Sequence, residues 1–272
     1  MNKFSDPNYL LNQQYANASN LEARLALHER FSVNPYPWQS WVFDRLLGHI
    51  PARAQLLELG CGPATLWVKN QERILGGWEI TLSDFSAGMV DAARKNLAAS
   101  PGAFHFEIVD AQQIPWGDGE FDAVIANHML YHVPDRARAI AEIRRVLKPG
   151  GKLFAATNGP ALLQGLYTLV DQFDPHIGVD TSGPQVAGVF SLENGAAQLK
   201  TCFRNVTLER YFDALEVTQA RPLLEYILSM SSLSHTEALH QRAAEFNAFL
   251  EREIANRGAI HITKDGGIFI AS

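Results

Sequence analysis

From Ala54 onward the chain alternates short apolar runs with amphipathic stretches, and this alternation admits few architectures. The runs fall at residues 55–59, 78–83, 104–109, 121–126 and 152–157. Short apolar runs alternating with helical stretches are the pattern of a parallel sheet covered by helices on both faces. The stretches 85–99 and 135–147 between them place apolar residues at helical spacing, and the second stops at Lys148-Pro149-Gly150-Gly151. The pattern specifies an α/β core with helices on both faces of the sheet.

The flanks are more helical. Residues 1–50 are partly apolar, with one helix over 21–31 that must break at Asn34-Pro35-Tyr36-Pro37 and another over 38–47. After Asn158 the alternation loosens: 161–173 is helical, 174–189 is rich in Gly and Pro, and 192–202 is helical again. Residues 206–212 return to a strand, and 221–230 and 236–255 are helical. The tail 261–271 carries a Lys264-Asp265-Gly266-Gly267 turn before residues 268–270. One folding unit results, with an N-terminal helical lid (1–50), a ligand-binding core (51–159), an insertion or cap (160–204), and a segment that completes the sheet with inserted cap helices (205–272).

Composition narrows the function. With 47% hydrophobic and 19% charged residues, the 272-residue chain can close a core and lacks the signature of disorder. A formal charge of -6 removes the simplest reason to bind a polyphosphate, so no nucleic-acid partner is expected. Cys61 and Cys202 are far apart in sequence, which argues against a disulfide framework and lacks zinc spacing. No segment approaches the ~20 apolar residues that span a bilayer, and the N-terminus lacks a signal-peptide core. A cytoplasmic protein is expected, as monomer or homodimer, with no membrane partner.

The first apolar run enters Leu57-Glu58-Leu59-Gly60-Cys61-Gly62-Pro63-Ala64, where glycines permit a tight turn and close approach of a ligand to the backbone. Dinucleotide-binding proteins use a similar turn, but Thr65 stands where their third glycine is expected. Glu58 suits a cationic ligand and opposes a pyrophosphate. The second run ends at Ser83-Asp84, a carboxylate placed to accept from two ribose hydroxyls. The third ends at Asp110-Ala111-Gln112, where a carboxylate can accept from an adenine amine while the Ala111 amide meets a ring nitrogen.

Over about residues 55–157 the chain resembles the class I S-adenosyl-L-methionine (SAM)-dependent methyltransferases, especially the type 11 small-molecule group that includes ubiquinone and menaquinone methyltransferases. LLELGCGPA, SDFSAGMV, DAQQIPW, FDAVIANHMLYHVPD and RVLKPGG carry the resemblance in order and spacing. It implies a Rossmann-like, seven-stranded, mainly parallel sheet with a reversed final strand and a helical cap, residues 206–212 and 268–271 being strands six and seven. It implies SAM as cofactor, S-adenosyl-L-homocysteine as product and a small-molecule methyl acceptor. It assigns Glu58, Gly60, Cys61 and Gly62 to the methionine end, Cys61 through its backbone. Asp84 would hold the ribose, Phe85 and Met89 would pack near the adenine, and Asp110, Ala111 and Gln112 would recognise its edge. Asn127 would offer its backbone carbonyl to the ammonium, and Tyr15 would reach over the cofactor from the lid. Phe85 and Met89 also fit ordinary helix–sheet core, and Glu58 also fits a structural ion pair.

On the acceptor side, His128, Tyr131 and His132 follow the fourth run, where loops at the carboxyl ends of parallel strands converge on the ligand crevice. His132 is the first candidate for a general base, since histidine titrates nearest neutrality; it also fits a structural role before Pro134. The carboxylates form no recognisable metal set, so metal independence is expected. A noncatalytic SAM-binding regulator and an RNA methyltransferase are the competing functions.

Overall fold

The computed structural model describes residues 26–177, 188–229 and 236–272. Its centre is a seven-stranded sheet built from β1 (Arg53–Leu59), β2 (Gly77–Asp84), β3 (Ala103–Ile108), β4 (Phe121–Asn127), β5 (Leu147–Asn158), β6 (Val206–Val217) and β7 (Ile260–Ala271). The strand order is β3-β2-β1-β4-β5-β7-β6. The first five strands are mutually parallel, and β7 runs antiparallel to both β5 and β6. This is the mixed sheet with a reversed last strand that the resemblance implies.

Helices α1 (Trp38–His49), α2 (Thr65–Val68), α3 (Ala87–Asn96) and α4 (Arg136–Val146) complete the layers around the parallel half. Successive residues of a strand face opposite sides, so Leu56 packs with Trp41, Phe43, Leu46, Trp67 and Trp78, whereas Leu57 packs with Val124, Ala139, Ile140 and Ile143. Two cores sandwich the sheet. Because the strand order reverses between β1 and β4, the crevice opens at their carboxyl ends.

A third core lies beyond that edge. Asn158, the last residue of β5, pairs with Gly266, but β6 and β7 continue pairing to Val217 and Ile260. The hairpin therefore projects about six residues, roughly 20 Å, past the carboxyl edge. Around its tip pack α5 (Gln164–Phe173), α7 (Ala220–Leu228), α8 (Thr236–Gln241) and α9 (Ala243–Arg257), while α6 (Gly195–Leu199) lies lower against the sheet. Leu27 and Phe31, on the helical residues 26–31, join this third core.

Three expectations are corrected. The turn expected at Lys264-Asp265-Gly266-Gly267 does not form: each of these residues is paired across to β6, and a Cβ on Gly267 would come 2.6 Å from the Glu209 carbonyl oxygen. The glycine serves close strand approach, and strands six and seven accordingly extend well past 206–212 and 268–271. The helix expected over 236–255 is broken at Arg242, whose guanidinium is held by Asp174 and Glu245 and lies over the Phe173 ring. The helix expected over 161–173 starts only at Gln164, because Leu163 has a left-handed φ of 58°.

Candidate functional site

The glycine loop leaves β1 through three left-handed residues, Gly60, Gly62 and Ala64, with φ of 68°, 53° and 61°. Only glycine adopts this region without cost, and here it turns the chain back over the strand end. A Cβ on Gly60 would meet the Met129 side chain at 2.7 Å, whereas one on Gly62 would meet nothing within 4 Å. One glycine packs the loop against the turn after β4, and the other faces open space.

Asp84 locks this loop. Its Oδ2 accepts from the Gly62 amide at 3.0 Å and its Oδ1 from the Ser86 amide at 2.8 Å. Burial holds its pKa above the ordinary carboxylate value, against the pull of those amides. Each oxygen retains acceptor capacity for a further donor. The Cys61 amide donates to the Ser83 carbonyl at 2.8 Å and its carbonyl accepts from Ala64 at 3.0 Å, so its backbone already has partners within the protein. Its buried thiol is pushed up by burial and by neighbouring Glu58 and Asp84.

Glu58 lies on the Trp67 side of the sheet, only 2% exposed. Its Oε2 accepts from the Trp67 indole N–H at 2.5 Å, and Asn127 Nδ2 reaches its Oε1 at 3.5 Å. Burial pushes Glu58 up to about 8. No ion pair with a base forms, which removes the structural ion-pair alternative among the described residues. Among the described residues the Asn127 Oδ1, which is buried, has no hydrogen-bond partner.

The structure separates Phe85 from Met89. Phe85 is 43% exposed beside Asp84, whereas Met89 is buried on the inner face of α3. Ala111 is buried in the second core. Asp110 is engaged by Gln112, which donates through its amide at 2.9 Å and through Nε2 at 3.0 Å, while Gln112 Oε1 accepts from the Asp135 amide at 3.0 Å. Gln112 thus joins the end of β3 to the start of α4. Tyr15 lies outside the described residues.

On the other wall, His128 has φ of 52° and its amide donates to the Ala156 carbonyl at 3.0 Å. Its ring meets Trp38 at 5.3 Å and Tyr131 at 6.5 Å between centroids, and Tyr131 meets His132 at 4.5 Å. Burial, with help from His132 and Lys264, lowers His128 to about 4. His28 approaches from the amino-terminal side with its ring edge on Tyr226, and its buried Nδ1 has no partner among the described residues. Burial first and Lys264 second lower it to about 3.

Trp67, Asp213 and Lys264 are the important residues that sequence reasoning passes over. Asp213, its side chain fully buried, takes Lys264 Nζ, the Ser32 hydroxyl and the Asn34 amide. Ser32 also bridges Leu215 in antiparallel fashion. These contacts tie residues 32–34 to the projecting hairpin across more than half the sequence, and no local signal announces them. Trp67 could have been found from its position in the first turn after the glycine loop.

A family model described as "Methyltransferase domain" matches residues 57–155. The ubiquinone/menaquinone biosynthesis C-methyltransferase UbiE of Desulfotalea psychrophila is 31% identical over 140 residues, 50% of this chain and 54% of that protein. The 27-O-demethylrifamycin SV methyltransferase of Amycolatopsis mediterranei is 37% identical over 115 residues, 40% of this chain and 41% of that one. The chain spans about half the length, or less, of these curated relatives. Among solved structures, phosphoethanolamine N-methyltransferase 2 of Haemonchus contortus, in complex with SAM, aligns with a TM-score of 0.58 at 17% identity, covering 98% of this chain and 59% of that one. That likeness is one of fold. The stretch that shapes the carboxyl edge of the sheet is also the stretch the family model covers, and over residues 57–155 this chain is similar to methyltransferase domains.

Proposed function

We propose that this protein is an enzyme that transfers the methyl group of SAM to an oxygen, nitrogen, sulfur or carbon nucleophile of a small molecule, without a metal ion, leaving S-adenosyl-L-homocysteine. The observation that carries the proposal is the carboxyl edge of β3, β2, β1 and β4, adjacent in the sheet, which carries Asp110, Asp84, Glu58 and Asn127 at or just past the strand ends. Asp84 there holds Gly62, where a Cβ would meet nothing within 4 Å. Exposed Phe85 suits a planar base, Asp84 a ribose, and the partnerless Asn127 oxygen beside Glu58 suits an ammonium. The residues fit the cofactor.

When bound, SAM supplies an electrophilic methyl on a sulfonium, and the chain's task is to hold the nucleophile in line with it and exclude water. The projecting hairpin and its helices cover this side of the edge together with residues 26–34, whereas Trp38–His49, expected as part of a lid, belongs to the core against the sheet. His28 Nδ1, buried and without a donor, is assigned to hydrogen-bond the acceptor. His128 stays neutral and lines the wall with Trp38 and Tyr131. His132 is the assigned general base for an acceptor that must lose a proton. The names of the relatives, acting on a quinone precursor and on a rifamycin, support a small-molecule acceptor.

Calorimetric titration with SAM, S-adenosyl-L-homocysteine and NAD tests the cofactor, and a radiolabelled-methyl screen over small acceptors tests the reaction. Binding of SAM without NAD, followed by a labelled product, is expected. NAD binding in place of SAM overturns the cofactor, and tight SAM binding with no product across the screen turns the assignment to a noncatalytic regulator.

A further inference from the structure

Glu58 is surrounded by neutral donors and acids. The Trp67 indole from α2 and the Asn127 amide from β4 are its hydrogen-bonding partners, and the titratable groups that face it are Asp84 at the end of β2 and Cys61 in the glycine loop. No Lys, Arg or His is paired with it among the described residues. Isolating an ionised carboxylate in such a site is costly, so the group answers by holding its proton. Next to it, Asn127 Oδ1 is a second buried acceptor with no donor among the described residues. An ammonium, with three N–H donors and one positive charge, satisfies both deficits at once.

We propose that Glu58, aimed by the Trp67 indole, is an uncharged carboxylic acid in the free protein, and that capture of the cofactor's ammonium expels its proton. The inference rests on the SAM assignment above. The Glu58 O–H bond breaks, its proton passes to the buffer, and a carboxylate–ammonium pair forms in its place. SAM and S-adenosyl-L-homocysteine share the ammonium, so both release the proton. Trp67 is a positioning residue: it donates to the carboxyl and favours its ionised form.

The test is calorimetric titration of the full chain with SAM and with S-adenosyl-L-homocysteine at pH 6.5, in buffers of different ionisation enthalpy. Close to one proton released per cofactor is expected, with affinity rising about tenfold per pH unit between pH 5.5 and 7, the dependence of a single linked proton. Glu58→Gln is expected to bind more weakly, with no proton release and a flat pH dependence. In Trp67→Phe release should persist, with the affinity rise displaced to higher pH. Binding of either cofactor to the native chain with no buffer dependence overturns the inference and leaves the cofactor assignment standing. Equal proton release from Glu58→Gln also overturns it and points to Asp84. Failure of both cofactors to bind removes the assignment itself, and the inference with it.

Discussion

Asp84 has two duties at one carboxyl group: it fastens the glycine loop through the Gly62 and Ser86 amides, and its remaining lone pairs face the proposed ribose site. Asp84→Ala is expected to lower SAM affinity at least tenfold by calorimetry and to cost about 1–3 kcal/mol in urea unfolding, because two amides lose their acceptor. Unchanged affinity would remove the ribose role. The histidines make a prediction of opposite character. His28 and His128 are held neutral, at about 3 and about 4, against an unfolded value of 6.5. Between those values the unfolded chain binds more protons than the folded one, so stability is fully present above pH 6.5 and is lost as pH falls toward 4 and then 3. Each adds a slope of up to about 1.4 kcal/mol per pH unit. Protonated Glu58 carries a slope of opposite sign over the same range, so the histidine effect is read as a difference: as pH falls from 6.5 to 5, His28→Phe should lose less of its urea midpoint than the native chain. For the acceptor, His28→Phe should raise KM while SAM affinity holds, and His28→Asn, which keeps an acceptor atom, should restore part of it. Equal KM in all three would sink the assignment. The carboxylates of this site were legible in the sequence because strand ends are local features. Their partners were less so: the position of Trp67 just after the glycine loop hints at an indole near Glu58, but the Asp213–Lys264 pair that fixes residues 32–34 is joined only by the fold.

At the scale of elements, periodicity located the five parallel strands and the helices between them to within a few residues, since each is buried against its sequence neighbours. It failed where neighbours are remote. Asp265-Gly266 has the chemistry of a hairpin turn, yet pairing on both sides keeps β7 straight, and the length of the hairpin is set by the third core at its tip. Helix α4 illustrates a local signal that works: the Asp135 side chain accepts from the Arg138 amide at 3.0 Å as an N-cap, and its own amide donates to Gln112. Asp135→Ala should cost about 1 kcal/mol in urea unfolding. Because Gln112 engages both the Asp135 amide and Asp110, a weakened adenine end of the proposed SAM site should accompany that loss. A larger effect on stability than on cofactor affinity would place the residue in the fold alone.

Across the whole molecule, sheet and cap are joined at the projecting hairpin, and Asp213 is the point where the chain before α1 is fixed to it. Asp213→Ala would leave Lys264 without its ion-pair partner and release Ser32 and Asn34 together. A loss of about 3 kcal/mol is expected in urea unfolding, with new cleavage near residues 32–36 in limited proteolysis. Intact resistance to protease would show that Leu27 and Phe31 hold that segment without the latch. The hairpin has a further consequence for how such a protein can change. Residues 218–259 leave and re-enter the sheet at the far tip of β6 and β7, remote in the chain from the glycine loop and from every carboxylate at the cofactor edge. That stretch is a cassette on a stem: it can be exchanged or lengthened while the glycine loop and its carboxylates stay as they are, so under the proposed function descendants of one scaffold can diverge in acceptor without rebuilding the site for the donor.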